Sequence, residues 1–442
     1  MTHVRRLLPL LSCLLLGCTL LTLFAPGGVL RRDDGPPPRV EGRPKGWSPY
    51  ELSEYIEDAQ EHLRHHPDDA ATWASLGGVY LEQARRSADV TYYGKAQGAF
   101  ERSLRLPADD GGPNIDAVIG MGALANAKHD FTGGLRWAEQ ARNAAPYRWA
   151  LYGVLTDAYL ELGDYERAQS ALRRMLQGRP DLASFTRAAR MEHLHGRTGP
   201  ARTALERARE IAGDPAEYAF VLWQLGELAW SGGDPRAALG FYEQALAADR
   251  THAPSLAGRA RAEAALGRTG QALRGYAAAV ARSPSFVVEY GELLEHLGDR
   301  AGARRQYTVF SGQLKLLAAN GINDDLAYGR FEADHGDPDT AVRHLRAEWA
   351  RRQSVEVADA LAWALHRAGH DTEAAGYAAR AARLGGRDAL FAYHRGEIER
   401  ALGHTGAARA QLTLALSINP HFSPDGAARA RAALARLESD AT

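Results

Sequence analysis

The strongest constraint on this chain is that it repeats itself. A small residue recurs at Ala96, Gly134, Ala168, Ala201, Ala238, Ala272, Ala303, Ala341, Ala374 and Ala408, at intervals of 31 to 38 residues. Four positions later stands a bulky side chain, as at Phe100, Leu172, Leu205, Tyr242, Tyr276, Tyr307, Leu345 and Leu412. Three positions further comes a small one again, at Ala141, Ala208, Ala245, Ala279, Ala381 and Ala415, and a proline often closes the unit. Steps of three and four place these residues on one helical face, and no sustained alternation of a strand interrupts them. Small residues let two helices approach closely, and large ones fill the holes that the approach leaves. A chain of 442 residues has the length of about three ordinary domains, but a repeat of this kind makes one elongated stack of it.

A period near 34 with two helices per unit resembles the tetratricopeptide repeat. The resemblance extends to the first helix of the unit, in Trp73, Leu76-Gly77 and Tyr80, in Leu225-Gly226, and in part at Gly122, Gly291, Gly329 and Gly396. It implies an all-α fold, a right-handed α-α superhelix of about ten helix-turn-helix repeats over residues 49–437, with a C-terminal capping helix between Pro424 and Leu437. Gly-Asp pairs such as Gly163-Asp164, Gly233-Asp234, Gly298-Asp299 and Gly336-Asp337 read as a left-handed glycine ending one helix and an acceptor capping the next. Extra residues near Ser87–Tyr93 predict a longer helix or a loop in the first unit. Ser311 to Asp325 reads as an enlarged connection, dividing the array into a block at 49–318 and a second at 322–437 that carries the capping helix.

Ahead of the repeats, Arg5 and Arg6 precede an uncharged, leucine-rich run from Leu7 to Ala25. A basic start and an apolar run make residues 1–27 a signal peptide or a membrane anchor, and three readings stay open. Ala25-Pro26-Gly27 suits cleavage; the length of the run, at ~1.5 Å per residue, suits one membrane crossing; and Leu15-Leu16-Gly17-Cys18 resembles a bacterial lipobox with Cys18 lipidated. Residues 28–48, with Pro36-Pro37-Pro38, form a stiff linker. The expected location is the cell envelope of a bacterium, membrane-anchored or secreted, with membrane contact through the N-terminal segment only.

Composition excludes several classes of function. The net charge of −1, from 53 basic and 54 acidic side chains, argues against a nucleic-acid partner. The only cysteines are Cys13 and Cys18, so the repeats hold no thiolate metal site, disulfide framework or cysteine nucleophile. His62, His65 and His66, His193 and His195, and His366 and His370 lack the spacing of a zinc peptidase. The carboxylate pairs Asp109-Asp110 and Asp324-Asp325 fall in connections, where helix capping accounts for them. No phosphate-binding glycine loop and no nucleophile elbow occur. No cofactor, metal or catalytic residue is therefore expected.

What the resemblance implies instead is binding. In tetratricopeptide arrays the first helices line a concave groove that reads peptides or partner helices. Projected onto this chain, the groove takes Arg190, His193, Trp223, Glu227, Trp230, Arg261, Glu292, Glu295, Arg330, Tyr393 and Glu397. The lysines and asparagines of a carboxylate clamp are nearly missing. The expected function is a non-catalytic scaffold or adaptor for a protein or peptide partner. The alternative is a glycan- or small-ligand-binding (or hydrolytic) helical-repeat protein that stacks its ligand on Trp223, Trp230 and Tyr393. Whether the two tryptophans pack between units or face the groove is open at this stage.

Overall fold

The computed structural model describes residues 49–107 and 112–439. The signal or anchor segment, Cys18, the proline-rich linker and the Asp109-Asp110 pair lie outside the described residues. Within them, no helix is long and apolar enough to cross a membrane. All regular structure there is helical, in 22 α-helices and two short 3-10 turns.

Ten helical hairpins follow one another. Their first helices are α2 (Ala70–Ser87), α4 (Ile115–Ala127), α6 (Ala150–Leu162), α8 (Leu182–Leu194), α10 (Pro215–Ser231), α12 (Ala253–Ala265), α14 (Val287–His296), α16 (Asp325–His335), α18 (Val355–Arg367) and α20 (Ala389–Ala401). Their second helices are α3 (Thr91–Leu104), α5 (Phe131–Ala144), α7 (Tyr165–Gly178), α9 (Thr198–Ile211), α11 (Pro235–Ala248), α13 (Thr269–Arg282), α15 (Arg300–Ala319), α17 (Pro338–Arg351), α19 (Asp371–Ala381) and α21 (Thr405–Ile418). Helix α1 (Pro49–His65) precedes the hairpins, and α22 (Gly426–Ser439) follows them, packed on α21 as a cap.

All ten repeat marks fall in second helices, and all are buried. Where a bulky residue follows the mark, it can act as a wedge. Phe100 fills the space where Gly77 of α2 and Gly120 of α4 lack a Cβ, and Tyr242 does the same between Gly226 of α10 and Gly258 of α12. A side chain at any of these glycines would overlap the ring, so the pattern of small and large is a packing code. First helices of successive hairpins touch one another, as α2 with α4 and α16 with α18, whereas second helices have no comparable contact across units. The array therefore curves with its first helices on the concave side.

The hairpin turns follow the expected chemistry in part. Asp164, Asp234 and Asp299 each accept a backbone N–H three residues on, behind glycines at φ between 78° and 87°. Gly336 departs from this: its φ is −131°, and Asp337 caps α17 without a left-handed residue before it. The enlarged connection expected at Ser311–Asp325 is mostly helix. Apolar Phe310 and Leu317 continue the buried stripe, so α15 runs for 20 residues and the connection shrinks to a few residues after Asn320. The extra residues of the first unit likewise lengthen α2 to 18 residues.

One feature of the architecture has no counterpart in the repeat pattern. The turns between helices of one hairpin lie against loops about 190 residues further on, so successive superhelical turns stack edge to edge. The Gln353 N–H donates to the Leu162 carbonyl (3.4 Å), the Val355 N–H to the Tyr165 hydroxyl (2.8 Å), and Asn419 Nδ2 to the Trp230 carbonyl (2.8 Å). A Cβ at Gly163 or Gly233 would run into the backbone carbonyls of Gln353 and Ile418. Leu317, Ile322 and Val355 accordingly belong to the apolar cluster that begins at Ala59.

Candidate functional site

The concave face is built by helices with a broad apolar contact to neighbours on both sides, so few of their positions remain for polar side chains. Those that remain are charged and alternate in sign. Across α10, α12 and α14, the Arg261 guanidinium lies 2.6 Å from the Glu227 carboxylate and 3.9 Å from that of Glu289, and it stacks 4.8 Å over the Trp230 ring. The Tyr242 hydroxyl donates to Glu227 at 2.7 Å. Burial alone would lower Arg261, but Glu227 and Glu289 hold its pKa well above the ordinary value; burial pushes Glu289 up against the opposing charge of Arg261.

Further along, His335 bridges Glu292 (3.2 Å) and Glu295 (3.5 Å), and Glu295 accepts from the Tyr307 hydroxyl at 3.0 Å. Burial works against protonation of His335, yet the Glu292 and Glu295 carboxylates raise its pKa. Arg330 reaches across to the Glu356 carbonyl at 3.3 Å. Trp223 is half-buried, near Phe220 and edge-on to His252, so it packs in the seam between α10 and α12.

A second charge cluster sits where superhelical turns meet. Glu161, fully buried at the end of α6, takes Arg190 of α8 at 2.6 Å and also pairs with Arg352, which is itself held by Glu348. Burial would raise Glu161, but Arg190 and Arg352 keep its carboxyl below the usual range. Beside it Arg187 forks onto both oxygens of Asp157 at 2.9 and 2.6 Å. His193 lies in the same region, where burial lowers its pKa against the carboxylates of Asp388, Glu356 and Glu227.

Sequence reasoning placed eleven residues on the groove, and the structure divides them. Glu227, Trp230, Arg261, Glu292, Glu295 and Arg330 lie on the concave side with part of each side chain accessible. Arg190 is committed to the buried cluster and to Glu356 at 3.8 Å. Tyr393 is only 4% exposed, wedged among Trp363, His394 and Phe422, and Glu397 is buried beside Arg400; neither presents a surface to a ligand. Tyr393 therefore offers no open ring for stacking.

Several polar residues of the concave side escaped the sequence reading. His394 faces the Asp359 carboxylate at 3.0 Å and stacks on Trp363 with ring centres 4.2 Å apart; Trp363 Nε1 donates to Asp334 at 2.8 Å. Glu227 and Arg261 stand one repeat apart with opposite sign, a signal that could have been read. Glu161 and Arg352 belong to different superhelical turns, and no local spacing connects them. Among the described residues, no group of three or more His, Cys, Asp and Glu is placed to hold a metal ion. Asp324 caps α16, while Asp325 pairs with His344 and Arg351.

Residues 150–184, which are α6, α7 and the start of α8, match the tetratricopeptide repeat family. No curated protein matches the sequence. Among solved structures, the chain is similar to the human IFIT1 dimer with m7Gppp-AAAA (14% identity, 84% of this chain and 86% of that one, TM-score 0.46). It is also similar to the Cut9–Hcn1 hetero-tetramer of the APC/C (15% identity, 88% and 82%, TM-score 0.40). A third is a tetratricopeptide repeat protein from Parabacteroides merdae (17% identity, 58% and 98%, TM-score 0.35). One hairpin matches the family, and a helical hairpin of the same kind recurs ten times, so the chain has the all-α superhelical fold of a tetratricopeptide array.

Proposed function

We propose that this protein is a non-catalytic scaffold of the cell envelope, which holds a protein or peptide partner along the concave face of its array. The observation that carries the reading is the ladder on α10 to α16. Glu227, Arg261, Glu292, Glu295 and Arg330 are only partly buried and alternate in sign. A tetratricopeptide array binds partners in general through such a face. A ladder whose charges are already paired internally favours a partner of mixed charge, because a single-sign ligand would leave half of the ladder unmatched. Export rests on Arg5, Arg6 and the apolar run that follows them.

The test is affinity capture from an envelope extract with the full chain and with a charge-reversed variant, Glu292→Lys with Arg330→Glu. Neither residue pairs directly with Glu161 or Arg352, and circular dichroism checks that the fold survives. The reading expects the captured partner to be lost with the variant. Capture of the same partner in the same amount would refute the concave face as the site.

A further inference from the structure

Counting charge helix by helix isolates two elements. Helix α1 carries five carboxylates, Glu51, Glu54, Glu57, Asp58 and Glu61, against one arginine, for a net −4. Helix α15 carries Arg300, Arg304, Arg305 and Lys315 with no acid, for a net +4. Among the described residues, no other helix exceeds three net charges of either sign.

The charges are also free. Glu54, Glu57, Asp58, Arg300, Arg304 and Lys315 are exposed, and none has an ion-pair partner among the described residues. Elsewhere several exposed arginines find a carboxylate three or four residues away, as Arg64, Arg105 and Arg142 do.

Both faces are stripes along one side of their helix. At 3.6 residues per turn, Glu54, Glu57, Asp58 and Glu61 fall within an arc of about 100° and span about 10 Å of helix. Arg300, Arg304 and Lys315 share an arc of about 60° and run along about 22 Å of helix, with Arg305 to one side. Within one molecule the two faces do not meet, since α1 packs on α2 at the N-terminal end and α15 packs on α14.

We propose that α1 of one copy docks on α15 of a second copy. Each molecule then carries one acidic and one basic docking face, at different places on its surface. Such a contact joins copies head to tail, into a ring if the rotation closes and into an open chain if it does not. Exposed ion pairs are individually weak and screened by salt, so the assembly is concentration-dependent and dissolves as ionic strength rises.

Sedimentation velocity on the full chain tests this, in a mild detergent that shields the apolar Leu7–Ala25 run. At about 30 mM salt the chain self-associates, and the apparent Kd weakens by about tenfold or more at about 500 mM. Reversal of α1 (E54K, E57K, D58K, E61K) abolishes association, and so does reversal of α15 (R300E, R304E, R305E, K315E). An equimolar mixture of the two reversed chains, each folded by circular dichroism, associates again. A chain that stays monomeric at low salt overturns the proposal, as does a folded reversed variant that still associates, or a mixture that stays monomeric. A monomeric chain whose α15 instead binds vesicles containing phosphatidylserine, and loses them on reversal, overturns it in favour of a lipid surface.

Discussion

Two clusters of charge on the first helices use the same residue types to opposite ends. At the end of α6, Glu161 and Arg352 join two superhelical turns, both fully buried, with Arg190 paired at their edge. Across α10, α12 and α14, Glu227, Arg261 and Glu289 join neighbours within one turn and keep part of their surface accessible. The first cluster is fully satisfied only because a loop from 191 residues away supplies Arg352. The second would persist in any fragment that contained three consecutive repeats. Burial, not residue type, decides which charges hold the array together and which remain available to a partner.

The largest effect should come from breaking the first cluster. Arg352→Met leaves Glu161 buried without its cross-turn partner, at a cost of about 3–5 kcal/mol, which chemical denaturation measures. Arg261→Met on the accessible ladder should cost about 1 kcal/mol, and equal costs for the two would erase the distinction drawn between them.

Acid should act on the seam beside the ladder. Burial lowers His252 to about 4, with Asp249 opposing, where the unfolded chain has about 6.5. A depressed histidine contributes stability above the unfolded value and loses it as pH falls through the folded one. Stability should therefore drop by about 3 kcal/mol between pH ~6.5 and ~4 on account of this group. His252→Gln should flatten the slope in that window, and an unchanged slope would assign the loss elsewhere.

A smaller effect separates turns that touch the next superhelical turn from those that do not. Gly163 and Gly298 both have positive φ, but an added Cβ meets the Gln353 carbonyl at Gly163 and open space at Gly298. Gly298→Ala should cost about 1 kcal/mol for the left-handed backbone, and Gly163→Ala at least ~1 kcal/mol more. The smallest effect is Arg330→Glu, whose hydrogen bond to a carbonyl at 3.3 Å should change stability by less than about 0.5 kcal/mol while altering partner capture.

These contrasts also mark what the sequence could reveal. The hairpins were legible because each satisfies itself locally: a mark such as Ala238, a wedge such as Tyr242 and a cap such as Asp234 all act within one period. The ends of α2 and α15 were less so, since extra residues in a helical stretch can extend the helix or form a loop, and buried Phe310 and Leu317 decided for helix. The groove was legible as a face but not residue by residue. Tyr393 and Glu397 occupy positions like those of accessible neighbours, yet Trp363, Phe422 and Arg400 cover them. Contacts between superhelical turns leave no periodic trace, because they depend on the accumulated rotation of five or six units.

The stacking of those turns determines which charges can reach a partner, so its direct test is a double-mutant cycle on Glu161→Gln and Arg352→Met. The two residues are 191 positions apart in sequence, and only edge-to-edge stacking brings them together. The account predicts a coupling of about 2 kcal/mol or more, with the double variant recovering much of what Arg352→Met loses alone. Independent, additive effects of the two substitutions would contradict it.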